Sequence, residues 1–540
     1  RRSNQGSWSM RGLRGALKGG LATLALLLVI PHASDAFALL RAPLSHPLGC
    51  LPSAAASTPP SHRRIAGTGV RMALAEPRKE AKNGVADKVA LVALGCPKNT
   101  VDAEVMLGDL QSKGFSIVRH ASDADVVIVN TCAFIEDAKK ESIEAILEAI
   151  SLKESGAKGV VVTGCMAQRY ADELSGELPE VDAVVGFEKY AEIGPRIEEI
   201  VTKSGFSMPT VEVGSTDVPF RPEWERYRIT QQHAGYLRVA EGCDHKCTFC
   251  AIPSWRGRFR SKSFEAIMEE AKKLVASGVT ELNLIAEDTN QWGQDFGSED
   301  PRRLADLLHE IAAIEDVVRI RLLYCYPSYF SDELIDAIAS IEKVCKYIDI
   351  PLQHIADPVL KRMNRPPKDH TVKLLAKIKE RVPGVVLRTT FITGFPGETE
   401  ADHKELVEFC NEWGFQRAGV FCYSEEEGTP AAEMTDLFVP AARSDRQRDQ
   451  LTSLIQEGQR RFAEQQVGKK LEVLIDRPGE GGFGSVGRTR FDAPDIDCCV
   501  YLPQTFPPGT YVDAEITGTF DFDLVGDAAG ALEGMGEDIL

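Results

Sequence analysis

From Lys88 to about Lys203, short unbroken apolar runs alternate with stretches whose apolar residues recur at helical spacing. The runs at 89–94, 126–129 and 159–162 are rich in β-branched residues and show no polar alternation. That pattern predicts a parallel α/β sheet whose strands are buried on both faces by the intervening helices. Each run leads into a cysteine, in Leu94-Gly95-Cys96, Asn130-Thr131-Cys132 and Thr163-Gly164-Cys165. Open α/β sheets form their sites outside the carboxyl ends of the strands, so the fold would gather Cys96, Cys132 and Cys165 at one crevice. The alternative is three core thiols that happen to follow strands. The glycines before Cys96 and Cys165 favour tight turns that present the side chains.

The alternation resumes between Gly235 and about Ser424, with predicted strands near 236–240, 281–286, 319–324, 347–352, 386–393 and 418–423. Amphipathic helices such as 264–276 and 402–413 separate them. Six β/α units predict an open, partial TIM barrel, with chemistry at its C-terminal rim. Distinctive residues follow the strands there: 241–250, Glu287-Asp288, Tyr326-Pro327, Gln353-His354 and 394–398. A helical linker over 443–466 then leads into short strands with Gly and Pro at 467–527, which predict a small antiparallel β-barrel. The expected domains are 87–203, 229–459 and 463–530, and the last dozen residues read as an acidic tail.

At 540 residues, with 43% hydrophobic and 26% charged side chains, the chain has the size and composition of about three folded domains. A minimal binding module and a membrane-spanning bundle are both excluded as readings. The formal charge of −18 argues against electrostatic binding of nucleic acid or anionic membranes. The third segment holds five basic residues against eleven acidic ones, a net of −6 and the wrong sign for an RNA-binding barrel. A basic protein is the expected partner, with no direct nucleic acid.

Residues 1–75 contain a single acidic residue, Asp35. An apolar run at 21–30 follows Arg11, Arg14 and Lys18 and precedes small residues, as in a secretory signal. The acid-free stretch 37–75, rich in Ala, Ser, Pro and Arg, has the composition of an organellar transit peptide. Ser34-Asp35-Ala36-Phe37-Ala38 is similar to the junction of bipartite presequences in algae with a red-algal plastid. The expected location is the plastid, with no membrane span in the mature form.

Thirteen cysteines are too few for a disulfide scaffold. Cys325, Cys345, Cys410 and Cys422 lie in apolar runs and are expected as buried hydrophobes. Cys50 falls in the leader, and Cys498 and Cys499 have no assigned role. The strongest signal is Cys243-x3-Cys247-x2-Cys250, directly after the first barrel strand. Structural zinc usually takes four ligands in two pairs, and only His245 is available as a local fourth. Three thiolates on a four-iron cluster instead leave one iron open to a ligand.

With Phe249 before the third cysteine, this run resembles the radical S-adenosylmethionine (SAM) superfamily. The resemblance implies a 4Fe-4S cluster whose open iron chelates SAM, and reductive cleavage of SAM to a 5′-deoxyadenosyl radical. Taken over about 88–525, the chain resembles the methylthiotransferases, which add a cluster domain in front and a TRAM barrel behind. Gly95-Cys96-Pro97-Lys98-Asn99, Asn130 to Ile135, Pro351 to His354, Arg388 to Glu398 and Gly487 to Pro494 resemble the RimO-type branch, which modifies a ribosomal-protein aspartate, more than the tRNA-modifying MiaB branch. That resemblance implies a second 4Fe-4S cluster on Cys96, Cys132 and Cys165, carrying the sulfur to be methylated, and two SAM molecules per turnover. It implies SAM contacts at Glu287, Asp288, Gln353, Gly394, Gly397 and Glu398. It also implies methylthio transfer to an aspartate β-carbon of small-subunit ribosomal protein S-twelve, with a low-potential donor such as ferredoxin. The alternatives are a tRNA adenosine methylthiotransferase and an iron-sulfur scaffold or electron carrier. Arg256, Arg258 and Arg260 are expected as a solvated face rather than a receptor for a substrate carboxylate.

Overall fold

The computed structural model describes residues 87–202, 208–218, 220, 223 and 225–528; the leader at 1–75 and the acidic tail lie outside them. The first domain is a six-stranded parallel sheet of β1 (Lys88–Ala93), β2 (Ser116–Ile117), β3 (Val126–Thr131), β4 (Gly159–Gly164), β5 (Ala183–Val185) and β6 (Thr210–Glu212). Its strand order is β2-β1-β3-β4-β5-β6. Val127, Val129, Val160 and Val162 pack on one face and Val126, Ile128 and Val161 on the other, so the doubly buried sheet is as the apolar runs require. Strands β2, β5 and β6 have two or three residues each and carry no pattern that a sequence reading could find.

The second domain is a parallel sheet of β7 (Ala234–Arg238), β8 (Glu281–Ile285), β9 (Arg319–Leu322), β10 (Val344–Asp349), β11 (Val386–Thr393) and β12 (Arg417–Cys422), in sequence order and open at both edges. This is the expected partial barrel, though β10 begins three residues earlier than its apolar pattern suggested. Ala240 and Glu241 leave the sheet to pair antiparallel with Ser261 and Arg260, a ribbon that brackets the Cys243 loop. An incomplete barrel cannot fill its own lumen. Here Tyr236, Ile285, Leu323, Tyr347 and Val386 pack with Val101 and Val105, on helix α1 (Pro97–Ser112) of the first domain, and with Ala493 and Phe491 of the third.

The third domain is a closed barrel of β13 (Lys470–Pro478), β14 (Ser485–Arg488), β15 (Val500–Leu502), β16 (Tyr511–Phe520) and β17 (Asp523–Ala528), reached by the long helix Ala441–Glu464. Its pairs are antiparallel except β15 with β17, which run parallel. The barrel docks at the amino ends of the core strands, away from the cysteines. Glu281, the first residue of β8, pairs with Arg488 at 2.7 Å, and Arg319, the first of β9, with Glu472 at 2.8 Å. Arg417, the first of β12, meets Asp492 at 2.5 Å, and the Tyr347 hydroxyl donates to Asp497 at 2.6 Å. His233 adds a contact of 2.9 Å to Asp476.

These contacts correct the charge reading. Several acidic residues counted in the −6 are turned inward against cations of the core. Six exposed acids, Glu480, Asp495, Asp513, Glu515, Asp521 and Asp527, face solvent with three exposed bases, Lys469, Lys470 and Arg477. The surface remains negative, at about half the tally. Among the described residues, no helix is long and apolar enough to cross a membrane.

Burial would raise the Glu281 carboxyl, but Arg488, Arg321 and Arg319 carry it from an ordinary 4.5 down to about 2. Its contribution to stability is therefore complete above the ordinary value and is lost as pH falls from there toward 2. Glu281→Gln, which leaves Arg321 buried without its carboxylate and Arg488 with Asp476 alone, should cost about 3–5 kcal/mol by chemical denaturation. The deficit should be largest near neutral pH and shrink as the wild type is titrated toward pH 2.

Candidate active site

The cysteines of the first domain sit where its strands end. Cys96 caps α1, Cys132 follows β3, and Cys165 opens α2 (Cys165–Arg169) after Gly164. One amide ties these three ends together. Asn99 Nδ2 donates to the carbonyls of Leu94 at 3.1 Å and Thr131 at 2.8 Å, and its Oδ1 accepts from Cys165 Sγ at 3.5 Å. Gly95 adopts φ +87°, and a Cβ there would lie 2.9 Å from Cys132 Sγ. Burial pushes the Cys132 thiol up, and Cys165 and Cys96 push it further, so the three sulfurs share one field. Burial also raises Cys165, to about 11, against the pull of Arg256.

The second set lies on the loop after β7. Gly242, at φ +74°, donates its N–H to Glu287 Oε2 at 3.0 Å. His245 Nε2 lies 2.6 Å from Asp288 Oδ2, and its ring stacks on Tyr326 at 3.5 Å. Arg365 also lies over the Tyr326 ring, at 4.1 Å, with Nη1 3.7 Å from Cys247 Sγ. Burial raises Cys250 to about 12, Cys247 adds to the rise and Arg365 opposes it. Thiols held this high become thiolates only beside strong positive charge, which iron supplies. Among the described residues no three His, Cys, Asp or Glu side chains close around a single ion. A four-iron cluster takes its thiolates on separate irons, and two sets of three separated, charge-coupled thiols fit two such groups.

Arg256 corrects the expectation of a solvated arginine face. It is 4% exposed and belongs to the short helix Pro253–Arg256, six residues after Cys250. Nη1 pairs with Glu241 at 2.8 Å; Nη2 reaches Asp102 at 2.9 Å, donates to Asn99 Oδ1 at 2.7 Å and lies 3.6 Å from Cys165 Sγ. A single guanidinium thus joins the second cysteine loop to a thiol of the first. Arg258 is exposed, and Arg260 is half-buried and donates to the backbone carbonyls of Val218, Arg256 and Arg258.

Of the residues associated with SAM, Glu287 and Asp288 touch the Cys243 loop directly. Gln353, at φ +72°, bonds through its backbone to Thr390 and Ile392 beside it. Gly394 takes φ +71° with Ser444 behind it, and Gly397 takes φ +77° and donates its N–H to Leu437 O at 2.7 Å. The Glu398 carboxylate braces this turn, accepting from Gly394 N at 2.6 Å and Phe395 N at 3.1 Å. Burial would raise it, yet His354 and His403 hold it near 2.

Cys325, Cys345 and Cys410 are buried as expected, whereas Cys422 is half-exposed, with Sγ 3.6 Å from Asp445 and 3.7 Å from Arg448. It lies at the open edge of the sheet, where an apolar run does not imply burial on both faces. Asn99 and Arg365 are not marked by any pattern, and Tyr326 and Arg256, which follow a strand end and the cysteine loop, carry no sign there of the stacking and pairing they make. Asn99 lies inside Gly95-Cys96-Pro97-Lys98-Asn99, but no periodicity marks its amide as a hub.

Residues 88–186 match the family described as Uncharacterized protein family UPF0004, 237–410 the radical SAM superfamily and 467–528 the TRAM domain. The ribosomal protein uS12 methylthiotransferase RimO of Akkermansia muciniphila is 42% identical over 81% of this chain and 98% of its own length. That of Lachnoclostridium phytofermentans is 42% identical over 82% of this chain and 100% of its own. The chain belongs to the RimO family of radical SAM methylthiotransferases. Among solved structures, the radical SAM methyltransferase TsrM of Kitasatospora setae is similar over 64% of this chain at 17% identity and a TM-score of 0.47.

Within this family frame, Gly95 offers a selective test of the first thiol set. Gly95→Ala combines an unfavourable φ with a Cβ against Cys132, so anaerobic reconstitution should fall from about eight irons per chain to about four. The electron paramagnetic resonance signal of the Cys243/Cys247/Cys250 site should persist. A full iron count in the variant contradicts the assignment.

Proposed function

We propose that this chain transfers a methylthio group to the β-carbon of an aspartate in ribosomal protein uS12, and that it does so in a plastid. The observation that carries the reading is the junction of two three-thiol sets, Cys96/Cys132/Cys165 and Cys243/Cys247/Cys250, through Arg256. When bound, two 4Fe-4S clusters and two SAM molecules per turnover supply the radical and the methylated sulfur.

The chain's own residues set the geometry. Glu287 clamps the Gly242 amide, and Asp288 orients His245 against Tyr326, so the Cys243 loop is fixed before any ligand arrives. Glu287, Asp288, Gln353, Gly394 and Gly397 line the strand ends as SAM contacts, while Glu398 shapes the turn from behind. Docking of the third domain at the opposite end leaves this rim open to a protein loop. The exposed acids of that domain suit a basic ribosomal protein better than tRNA. A low-potential donor such as ferredoxin fits a plastid enzyme of this kind.

Mass spectrometry of plastid uS12 from cells with and without this protein should find one methylthio group on an aspartate only when the protein is present. An unmodified aspartate in both, or a methylthioadenosine in tRNA that vanishes with the protein, overturns the reading. For location, residues 1–80 fused to a fluorescent protein should enter the plastid. Retention in the cytosol or secretion rejects that part.

A further inference from the structure

Lys98 lies two residues after Cys96, in the first turn of α1, where the helix enters the mouth of the partial barrel. It is 7% exposed. Its ammonium sits 3.5 Å from the centroid of the Tyr324 ring and donates one long hydrogen bond, 3.4 Å, to the carbonyl of Ala286. Among the described residues no carboxylate lies within 4.0 Å of it: Glu287 feels its charge but is turned to the Gly242 amide.

An ammonium has three donors, and a buried charge is costly unless paired. The other buried lysines obey that rule, Lys139 pairing with Glu426 at 3.0 Å and Lys262 with Glu223 at 2.9 Å. Lys98 alone among these three is short of a partner, and it is so two residues from Cys96 and against Ala286, next to the Glu287 that holds the Gly242 amide. Tyr324 marks the same place from the barrel side, since its phenol lies in the fields of both Cys96 and Glu287. Tyr324 itself is held at φ +60°, with its N–H donated to Asp349 Oδ2 at 3.0 Å, which fixes the ring beneath the ammonium.

We propose that Lys98 receives the side-chain carboxylate of the substrate aspartate. The assignment rests on the proposed function and names the group that selects aspartate over its neutral isostere. A carboxylate entering the cleft would complete the donor set of Lys98 with a charge-assisted bond. Its β-carbon would then stand between the two cysteine sets.

The test compares uS12 loop peptides carrying Asp or Asn at the modified position, bound to anaerobically reconstituted wild type, Lys98→Met and Lys98→Arg. Iron content, the cluster resonance signals and substrate-free reductive cleavage of SAM are followed in each. The wild type should prefer the Asp peptide by about tenfold or more, as a charged hydrogen bond implies. Lys98→Met should bind both peptides equally with its clusters retained, and Lys98→Arg should keep the preference. If Lys98→Met does not load iron, Lys98→Gln is read in the same way.

A neutral variant that still prefers Asp overturns the assignment. So does one that shifts the potential of the first cluster while leaving the preference intact, because Lys98 would then serve the cluster. Equal binding of the two peptides by the wild type also overturns it. A wild type that neither binds nor modifies either peptide overturns the functional reading, and this assignment with it.

Discussion

A chain of buried ion pairs at the seam between the first two domains fixes everything that matters for chemistry. Asp102 of α1 is held by Arg238 at 2.8 Å and Arg256 at 2.9 Å, and Glu241 bridges both cations at 2.8 Å each. The chain runs on through Glu223, Lys262, Glu270 and Arg226 to Glu104, again on α1. Such a network is a weak source of net stability, because desolvation offsets most of the attraction. Its value is directional. Apolar packing of Val101 and Val105 in the lumen would tolerate sliding, whereas a carboxylate shared between two guanidinium groups admits one register. The distance from Cys96 to the Cys243 loop follows from that register.

The partial barrel explains why three domains are needed. Six strands leave a lumen that their own side chains do not close, so α1 enters from the carboxyl end and the loop 489–499 from the amino end. Arginine-to-carboxylate contacts at the first residues of β8, β9 and β12 hold the lower plug. On the other flank, Glu426 after β12 is gripped by Lys139 and Arg169 of the first domain, at 3.0 and 2.7 Å. The carboxyl ends of the core strands are left to the Cys243 loop, which Arg256 joins to Cys165 of the first domain.

The parts legible from sequence were those with period or spacing. Unbroken Val and Ile runs gave the two parallel sheets, and cysteines at strand ends gave both thiol sets. Arg256 was misread because three arginines at alternate positions look solvated, and nothing local reveals that Asp102, 154 residues earlier, waits for one of them. The acidity of the third domain was overstated for a related reason. A charge tally has no means of separating Asp492, buried against Arg417, from Asp513 in water. Cys422 failed at an edge, where an apolar run borders solvent on one side. The first two errors concern contacts between domains, which no single segment encodes.

Helix α1 carries a consequence beyond its own domain. Its first turns and their cap carry Cys96 itself, Asn99 against the other thiol-bearing strand ends, Asp102 in the ion chain, and Val101 with Val105, one turn apart, in the lumen. Successive residues of an α-helix are rotated by about 100°. Adding or deleting one residue between Asn99 and Asp102 would therefore turn every later face away from its partner at once. The short stretch from Cys96 to Val105 is a key cut on three sides, free to vary in composition between its contact points but not in length.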